Sequence, residues 1–176
     1  MLNDLNISIA TANDIPALLA LVNSAYRGET AKKGWTHEAD LIAGEVRTDE
    51  ASILKMINTD GAVFLTCRDE NHTLVGCVYL QNNKGRLYLG MFAVNPELQA
   101  KGIGKRLLIA ATDHAIQQDC HSIYMTVISL RHQLIEWYER HGFQKTGVTE
   151  PFPNDQRYGI PRKELVFVEL EKEIKP

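Results

Sequence analysis

Apolar and polar positions alternate over residues 6–10, which predicts a short first strand. Thr11 to Asp14 then has the form of a capping box, and Pro16 suits a first helical turn, where the amide that proline lacks has no partner to lose. Ile15, Leu18, Leu19 and Val22 follow at helical spacing, and Gly28 closes that region. Residues 37–47 and 49–58 read as two further short helices, the second introduced by Thr48 and Asp49. The period then changes. AVFLTC (62–67) and LVGCVYL (74–80) are short apolar runs separated by polar RDENHT, the signal of a hairpin. RLYLGMFAV (86–94) is apolar almost throughout, which predicts a central strand covered on both faces. Gly90 inside it marks a bulge or a close backbone approach. A helix is predicted over 102–118, with Ile103, Leu107, Ala111 and Ala115 on one stripe, followed by a strand over 122–128. A second amphipathic helix covers 131–141, stopped by Gly142, and the last strands are 143–148 and 164–170. Helices interleaved with strands in this order predict an α/β layered fold around a mixed sheet. With no repeat and no linker-like stretch, a single domain over residues 1–176 is the simplest organisation.

Composition narrows the picture mainly by exclusion. Apolar residues are 44% and charged residues 23% of the 176, an ordinary globular balance that argues against disorder, collagen or coiled coil. Nineteen basic against 22 acidic side chains give a formal net charge of −3, the wrong sign for a nucleic-acid partner. Cys67, Cys77 and Cys120 are odd in number and lack any C-x-x-C spacing, so they read as reduced, buried small hydrophobes. The six histidines show no ligand spacing, and no metal is expected. The N-terminal stretch has no basic and apolar leader pattern, and no run of 18 apolar residues exists, so no membrane partner is expected and the cytoplasm is the expected location.

The segment Val94 to Arg106, VNPELQAKGIGKR, lies where the central strand ends and a helix begins. Gly102 and Gly104 remove side chains, so backbone can wrap closely round an anion. The first helical N–H groups have no intrahelical partner, and the helix dipole adds partial positive charge there. Together these predict a phosphate or pyrophosphate cradle, with Lys101, Lys105 and Arg106 as full charges beside it. The spacing excludes two nucleotide motifs. A Walker loop, G-x-x-x-x-G-K-S/T, would need glycine where Gln99 stands and Ser or Thr where Arg106 stands. A dinucleotide fingerprint would need a third glycine where Leu107 stands.

The pattern that does fit is Q-x-x-G-x-G soon after V-x-P. Together with the helix ending in WYERHGF, Trp137 to Phe143, it resembles the GNAT superfamily of acetyl-CoA-dependent N-acetyltransferases. The strand and helix order over nearly the whole chain agrees. The resemblance implies the acyl-CoA N-acyltransferase fold: a mixed, mostly antiparallel sheet flanked by helices and splayed between the strands at 86–94 and 122–128. It implies that the loop Gln99, Ala100, Lys101, Gly102, Ile103, Gly104, Lys105 and Arg106 holds the CoA pyrophosphate. It also implies that the strand at Phe92, Ala93 and Val94 pairs with the pantetheine arm, with a backbone N–H near Phe92 or Ala93 for the oxyanion. In the family the tyrosine matching Tyr138 is the general acid for the leaving thiolate; the residues alone allow Tyr138 to be a core tyrosine. Where many members carry an Asn that contacts CoA, this chain has Arg131.

The acceptor side is less defined. The central strand carries no acid between Arg86 and Val94, so a base must come from elsewhere. The segment Ser24 to Glu38, SAYRGETAKKGWTHE, offers Tyr26 and Trp35 as walls and Arg27 as a carboxylate clamp. Glu29 is the first candidate for base or anchor, followed by Glu38 and His37. The segment Thr149 to Pro161, longer than a hairpin needs, is expected to close the other wall with Glu150, Phe152, Arg157 and Tyr158. Two aromatic loops favour a small molecule, an amine or an amino acid derivative, over a peptide or protein amine. A non-catalytic acyl-CoA-binding module stays open, as does a homodimer through the exposed strand edge near the C-terminus.

Overall fold

Residues 4–175 are described by the computed structural model; residues 1–3, the start of the stretch read for a leader, and residue 176 lie outside it. The strands are β1 (Asn6–Ile9), β2 (Ile42–Ala43), β3 (Ala62–Arg68), β4 (Leu74–Asn83), β5 (Arg86–Val94), β6 (Ser122–Ile128), β7 (Gln144–Pro151), β8 (Ile160–Pro161) and β9 (Val166–Glu173). The helices are α1 (Ile15–Tyr26), α2 (Gly28–Ala31), α3 (Glu50–Ile57), α4 (Ile103–Gln117) and α5 (His132–Arg140). Seven strands form one sheet in the order β1-β3-β4-β5-β6-β9-β7, while β2 pairs with β8 in a two-residue ladder. Every neighbouring pair in the main sheet is antiparallel except β5–β6, whose connection runs through α4 and returns parallel; only β3–β4 and β4–β5 are joined by short turns. This is the mixed, mostly antiparallel sheet expected from the sequence.

The one parallel pair sets the architecture of the site. β5 and β6 share register only at Arg86–Tyr88 with Ser122–Tyr124, then part. The closed end is pinned by Arg86, whose guanidinium bonds Glu169 at 3.0 Å and Glu171 on β9 and lies 4.0 Å over the Tyr124 ring. Past it, β6 stays paired with β9 while β5 stays paired with β4, so the sheet opens as a V. A bulge widens the opening. Cys77 faces Ala93 but Tyr79 faces Gly90, which leaves an extra residue on β5 at Met91–Phe92. Met91 sits at φ 45°, a left-handed conformation that costs a side-chain-bearing residue about 1–2 kcal/mol. The bulge expected at Gly90 thus falls one residue later. Gly90 serves the close approach instead, since a Cβ there would lie 2.9 Å from the Tyr88 ring.

The core has two main layers. Leu18, Val22, Ile53, Phe64 and Tyr79 pack α1 and α3 on one sheet face; Leu80, Leu87, Leu107, Ala111, Ile123 and Leu170 pack α4 and α5 on the other. β4 runs between them and is buried from Leu74 to Leu80. All three cysteines are unpaired and buried. No described helix is long and apolar enough to cross a membrane.

Two segments depart from the sequence reading. Residues 37–47 are not a helix. Glu38 is buried there, Ile42 goes into a small cluster with Ile128 and Leu165, and Gly44 at φ 114° ends the run. Tertiary burial of single residues overrides a weak helical period. The last hairpin is also longer than expected: β7 extends to Pro151, passing a bulge between Lys145 and Thr149 at Gly147, φ 91°. Asp49, by contrast, caps α3 as its sequence suggests, accepting the Ser52 N–H at 2.7 Å.

Candidate active site

The V in the sheet is flanked by two clefts that meet at Tyr138. The first, about 560 Å³, runs from the β5 bulge to the start of α4 and is walled by α5. Gly102 precedes α4 at φ 88°, a conformation glycine adopts freely, and a Cβ added there would meet nothing within 4 Å. The cradle is therefore open space, not packing. The first intrahelical bond is from Arg106 N–H to Gly102 O at 3.1 Å, so the N–H groups of Ile103, Gly104 and Lys105 precede the helical ladder. Every charged residue lining this cleft is basic: Lys105, Arg131 and Arg140, with His141 next to them. Open backbone donors, a helix dipole and cationic walls fit a phosphate-bearing ligand.

The Gln99 side chain turns inward. Its Oε1 accepts the N–H groups of Trp35 at 2.8 Å and Thr36 at 3.3 Å, and its Nε2 donates to Thr36 Oγ1 at 2.6 Å and Val94 O at 3.2 Å. Gly34 is needed for this docking, since any Cβ would collide with the Gln99 amide. The loop carrying Trp35 is thereby stapled over the cleft. Trp35 and Trp137 stand 6.3 Å apart across it.

The second cleft, about 410 Å³, opens on the other side of the V. Its floor is Met91, Met125 and Phe167, and its walls come from α1, the 38–47 segment and the turn at Gln156–Tyr158. Glu38 organises it. The carboxylate takes Arg27 at 2.5 Å on one oxygen and Arg131 at 3.4 Å on the other. Arg131 also donates to Thr36 O, and Arg27 to Tyr158 O at 3.2 Å. Tyr158 donates on to Asp49 at 2.9 Å, which ties the turn to the cap of α3.

Tyr138 stands between the clefts. Its ring packs among Phe92, Trp137 and Phe143 at centroid distances of 6.3, 5.2 and 5.6 Å. Only 5% of the residue is exposed, yet its hydroxyl makes no hydrogen bond among the described residues. Burial pushes that hydroxyl well above the ordinary tyrosine value of 10.0; Tyr26 adds to the shift and Arg131 opposes it. Tyr26 is likewise raised by burial, to about 12, and its hydroxyl is spent on the Phe92 carbonyl.

The sequence-predicted residues divide. Phe92, Val94, Gln99, Ala100, Gly102, Ile103, Gly104, Lys105, Tyr26, Trp35 and Tyr138 all line the first cleft. Phe152 and Arg27 line the second. Several need correction. Glu29 lines neither cleft: its side chain is 88% exposed and paired with Lys32 at 2.8 Å, too far out on α2 to serve as base. Lys101 and Arg106 do not line the first cleft; Arg106 reaches instead to Leu5 O at 3.4 Å. Arg27 is no free clamp, being only 4% exposed and committed to Glu38. Ala93 is buried with its amide against the Cys77 sulfur, which leaves the Phe92 N–H as the candidate donor. Glu150 lies in β7 and lines neither cleft. The sequence reading missed Arg47, Asp155, Tyr88, Arg140 and His141. The last two follow directly on the WYE segment, so the motif itself pointed at them; Arg47 lay hidden in the misread helix.

Residues 21–143 match the family model described as Acetyltransferase (GNAT) family. Among curated proteins, the spermine/spermidine N(1)-acetyltransferase of Bacillus subtilis is 34% identical over 67 residues, 38% of this chain and 44% of the relative. The match thus spans less than half the length of that relative. Among solved structures, the ribosomal-protein-S18-alanine N-acetyltransferase of Escherichia coli aligns with a TM-score of 0.72 at 16% identity, covering 98% of this chain and 96% of the other. A ribosomal-protein-alanine N-acetyltransferase from Brucella melitensis aligns at 0.70 and 21% identity, over 96% and 99% of the two chains. A spermidine N-acetyltransferase chimera from Vibrio cholerae aligns at 0.68 and 19% identity, over 96% and 95%. At these identities the structural likeness speaks for the fold.

Proposed function

The chain belongs to the acetyltransferase (GNAT) family, and on that premise we propose that it moves the acetyl group of acetyl-CoA to the primary amine of a small molecule. One observation carries the reading: the unpaired hydroxyl of a buried tyrosine reaches the point where a cleft suited to a phosphate-rich donor meets a second, chemically different cleft. The name of the Bacillus subtilis relative supports a small amine as acceptor. A cytoplasmic location suits both a CoA donor and three unpaired cysteines.

The donor lies with its pyrophosphate on the N–H groups of Ile103, Gly104 and Lys105 and its acyl end at the V. The neutral amine, entering from the second cleft, attacks the thioester carbonyl carbon. As the C–N bond forms, the Phe92 N–H stabilises the oxyanion. As the C–S bond breaks, Tyr138 gives its proton to the departing thiolate, the new amide nitrogen loses its own proton to solvent, and solvent returns one to Tyr138. Both Glu38 oxygens are occupied by guanidinium groups, so water, not Glu38, carries that proton away. The same shortage of a free carboxylate is the observation that favours the second reading, a non-catalytic acyl-CoA-binding module.

The donor site is tested by thermal denaturation. Acetyl-CoA at one hundred times its Kd should stabilise the protein by about 2.7 kcal/mol. For a chain of this size that is a shift of roughly 5–10 °C. Gly102→Val fills the open cradle and strains a φ of 88°, so the shift should vanish. A shift that survives Gly102→Val removes the cradle from the account.

The pH dependence has a defined sign. Because burial holds Tyr138 protonated above the usual tyrosine range, kcat should show no falling limb up to pH about 10. Activity should instead rise with pH as the amine deprotonates. A descending limb between pH 7 and 9 in the pH–rate profile would remove Tyr138 as the acid.

A further inference from the structure

The charges facing the second cleft are unequally used. Three guanidinium groups, those of Arg27, Arg47 and Arg131, meet two carboxylates, those of Glu38 and Asp155. Both carboxylates are taken. Glu38 is shared by Arg27 and Arg131, and Asp155 is held by Arg157 through contacts of 2.6 to 3.1 Å. The other titratable groups facing the cleft are phenols: Tyr26, Tyr88, Tyr138 and Tyr158. Arg47 is left over: among the described residues its guanidinium has no hydrogen bond and no ion pair.

Arg47 is nonetheless held in place. The Asn23 side chain clamps the backbone beneath it, its Oδ1 accepting the N–H groups of Arg47 at 2.6 Å and Thr48 at 3.0 Å and its Nδ2 donating to Thr48 O at 3.2 Å. The guanidinium lies 5.7 Å from the centre of the Tyr26 ring, and the Tyr26 hydroxyl in turn reaches Phe92 O at the V. A cation with no anion thus sits about one phenol ring from the junction where the amine must arrive. An unpartnered guanidinium in a cleft is a bidentate receptor for a carboxylate. Both carboxylates that line the cleft already have arginine partners, so a polyamine would meet the Arg47 charge directly.

We propose that the acceptor is an amino acid: a primary amine that also bears a carboxylate, which Arg47 binds while the amine points to Tyr138. This rests on the acetyl-transfer reading above and narrows its substrate class. The apolar floor of Met91, Met125 and Phe167 gives such a molecule room for an aliphatic side chain.

The test offers protein saturated with acetyl-CoA three sets of amines: the aliphatic and polar α- and ω-amino acids, the same molecules as uncharged amides, and spermidine. Thiol release is read for each. At least one free acid should exceed its own amide in kcat/KM by roughly 10- to 100-fold, the size expected for one charged hydrogen-bonded pair. Arg47→Ala should bring that ratio close to one, and Arg47→Lys should restore part of it. Retained acetyl-CoA stabilisation in both variants shows that they fold. The proposal is overturned if amides or spermidine match the acids, if the ratio survives Arg47→Ala, or if no acid is acetylated while acetyl-CoA still raises Tm. Absence of any acetyl-CoA stabilisation in the unaltered protein would instead overturn the functional reading itself.

Discussion

Tyr138→Phe should lower kcat by roughly 10²- to 10⁴-fold, the range for a lost general acid, and leave acetyl-CoA affinity and Tm almost unchanged. The separation follows from the geometry. The ring supplies all the packing, against Phe92, Trp137 and Phe143, and phenylalanine keeps it. The hydroxyl makes no hydrogen bond among the described residues, so removing it leaves no partner orphaned. A tyrosine kept for structure would behave in the opposite way, with a stability cost and no selective loss of turnover. Steady-state kinetics and a melting curve on the same variant distinguish the two.

Glu38→Ala should be the most damaging change to stability at the site. Glu38 is 8% exposed, and removing it leaves Arg27, 4% exposed, and the nearly buried Arg131 side chain without their anion. Breaking a buried pair in this way costs about 3–5 kcal/mol, which lowers Tm by roughly 10 °C in a chain of this size. Intact binding elsewhere would not follow, since Arg131 also holds the Thr36 carbonyl and Arg27 the Tyr158 carbonyl. Both walls of the second cleft should loosen together. Glu38→Gln keeps one acceptor oxygen and should cost less. A melting temperature for Glu38→Ala within 1–2 °C of the unaltered protein would mean that the ion cluster contributes little, as exposed pairs do.

The strands and helices from Ala62 to Arg140 were legible because each has one dominant local signal. β5 is a continuous apolar run, α4 begins at two glycines and α5 stops at one. The turn that opens the first cleft was legible for the same reason: it is made of backbone, and glycine spacing reports backbone. The lining of the second cleft was not. Residues 37–47 carry a helix-like spacing, but their fold is decided by where Glu38 and Ile42 are buried, and those partners, Arg27, Arg131, Ile128 and Leu165, lie far off in sequence or on other elements. Local chemistry favours Glu29 over Glu38, yet α2 turns Glu29 to solvent, while Glu38, in the irregular segment beyond α2, is buried. Arg47 has no periodic or motif signal at all, and only its lack of a partner inside a cleft draws attention to it. The positive residues beside the cradle illustrate the same limit. Of Lys101, Lys105 and Arg106 only Lys105 lines the cleft; the other cations lining it are Arg131, at the N-cap of α5, and Arg140, in its last turn.

The central claim is acetyl transfer, and the measurement closest to it is amine-dependent release of free thiol from acetyl-CoA, with the acetylated amine identified by mass. The account predicts release that requires an acceptor, equals the acetylated product in amount, and falls by the factor stated above in Tyr138→Phe. Acetyl-CoA that binds and stabilises the protein, while no amine raises thiol release above background, would contradict it and leave a binding module in its place.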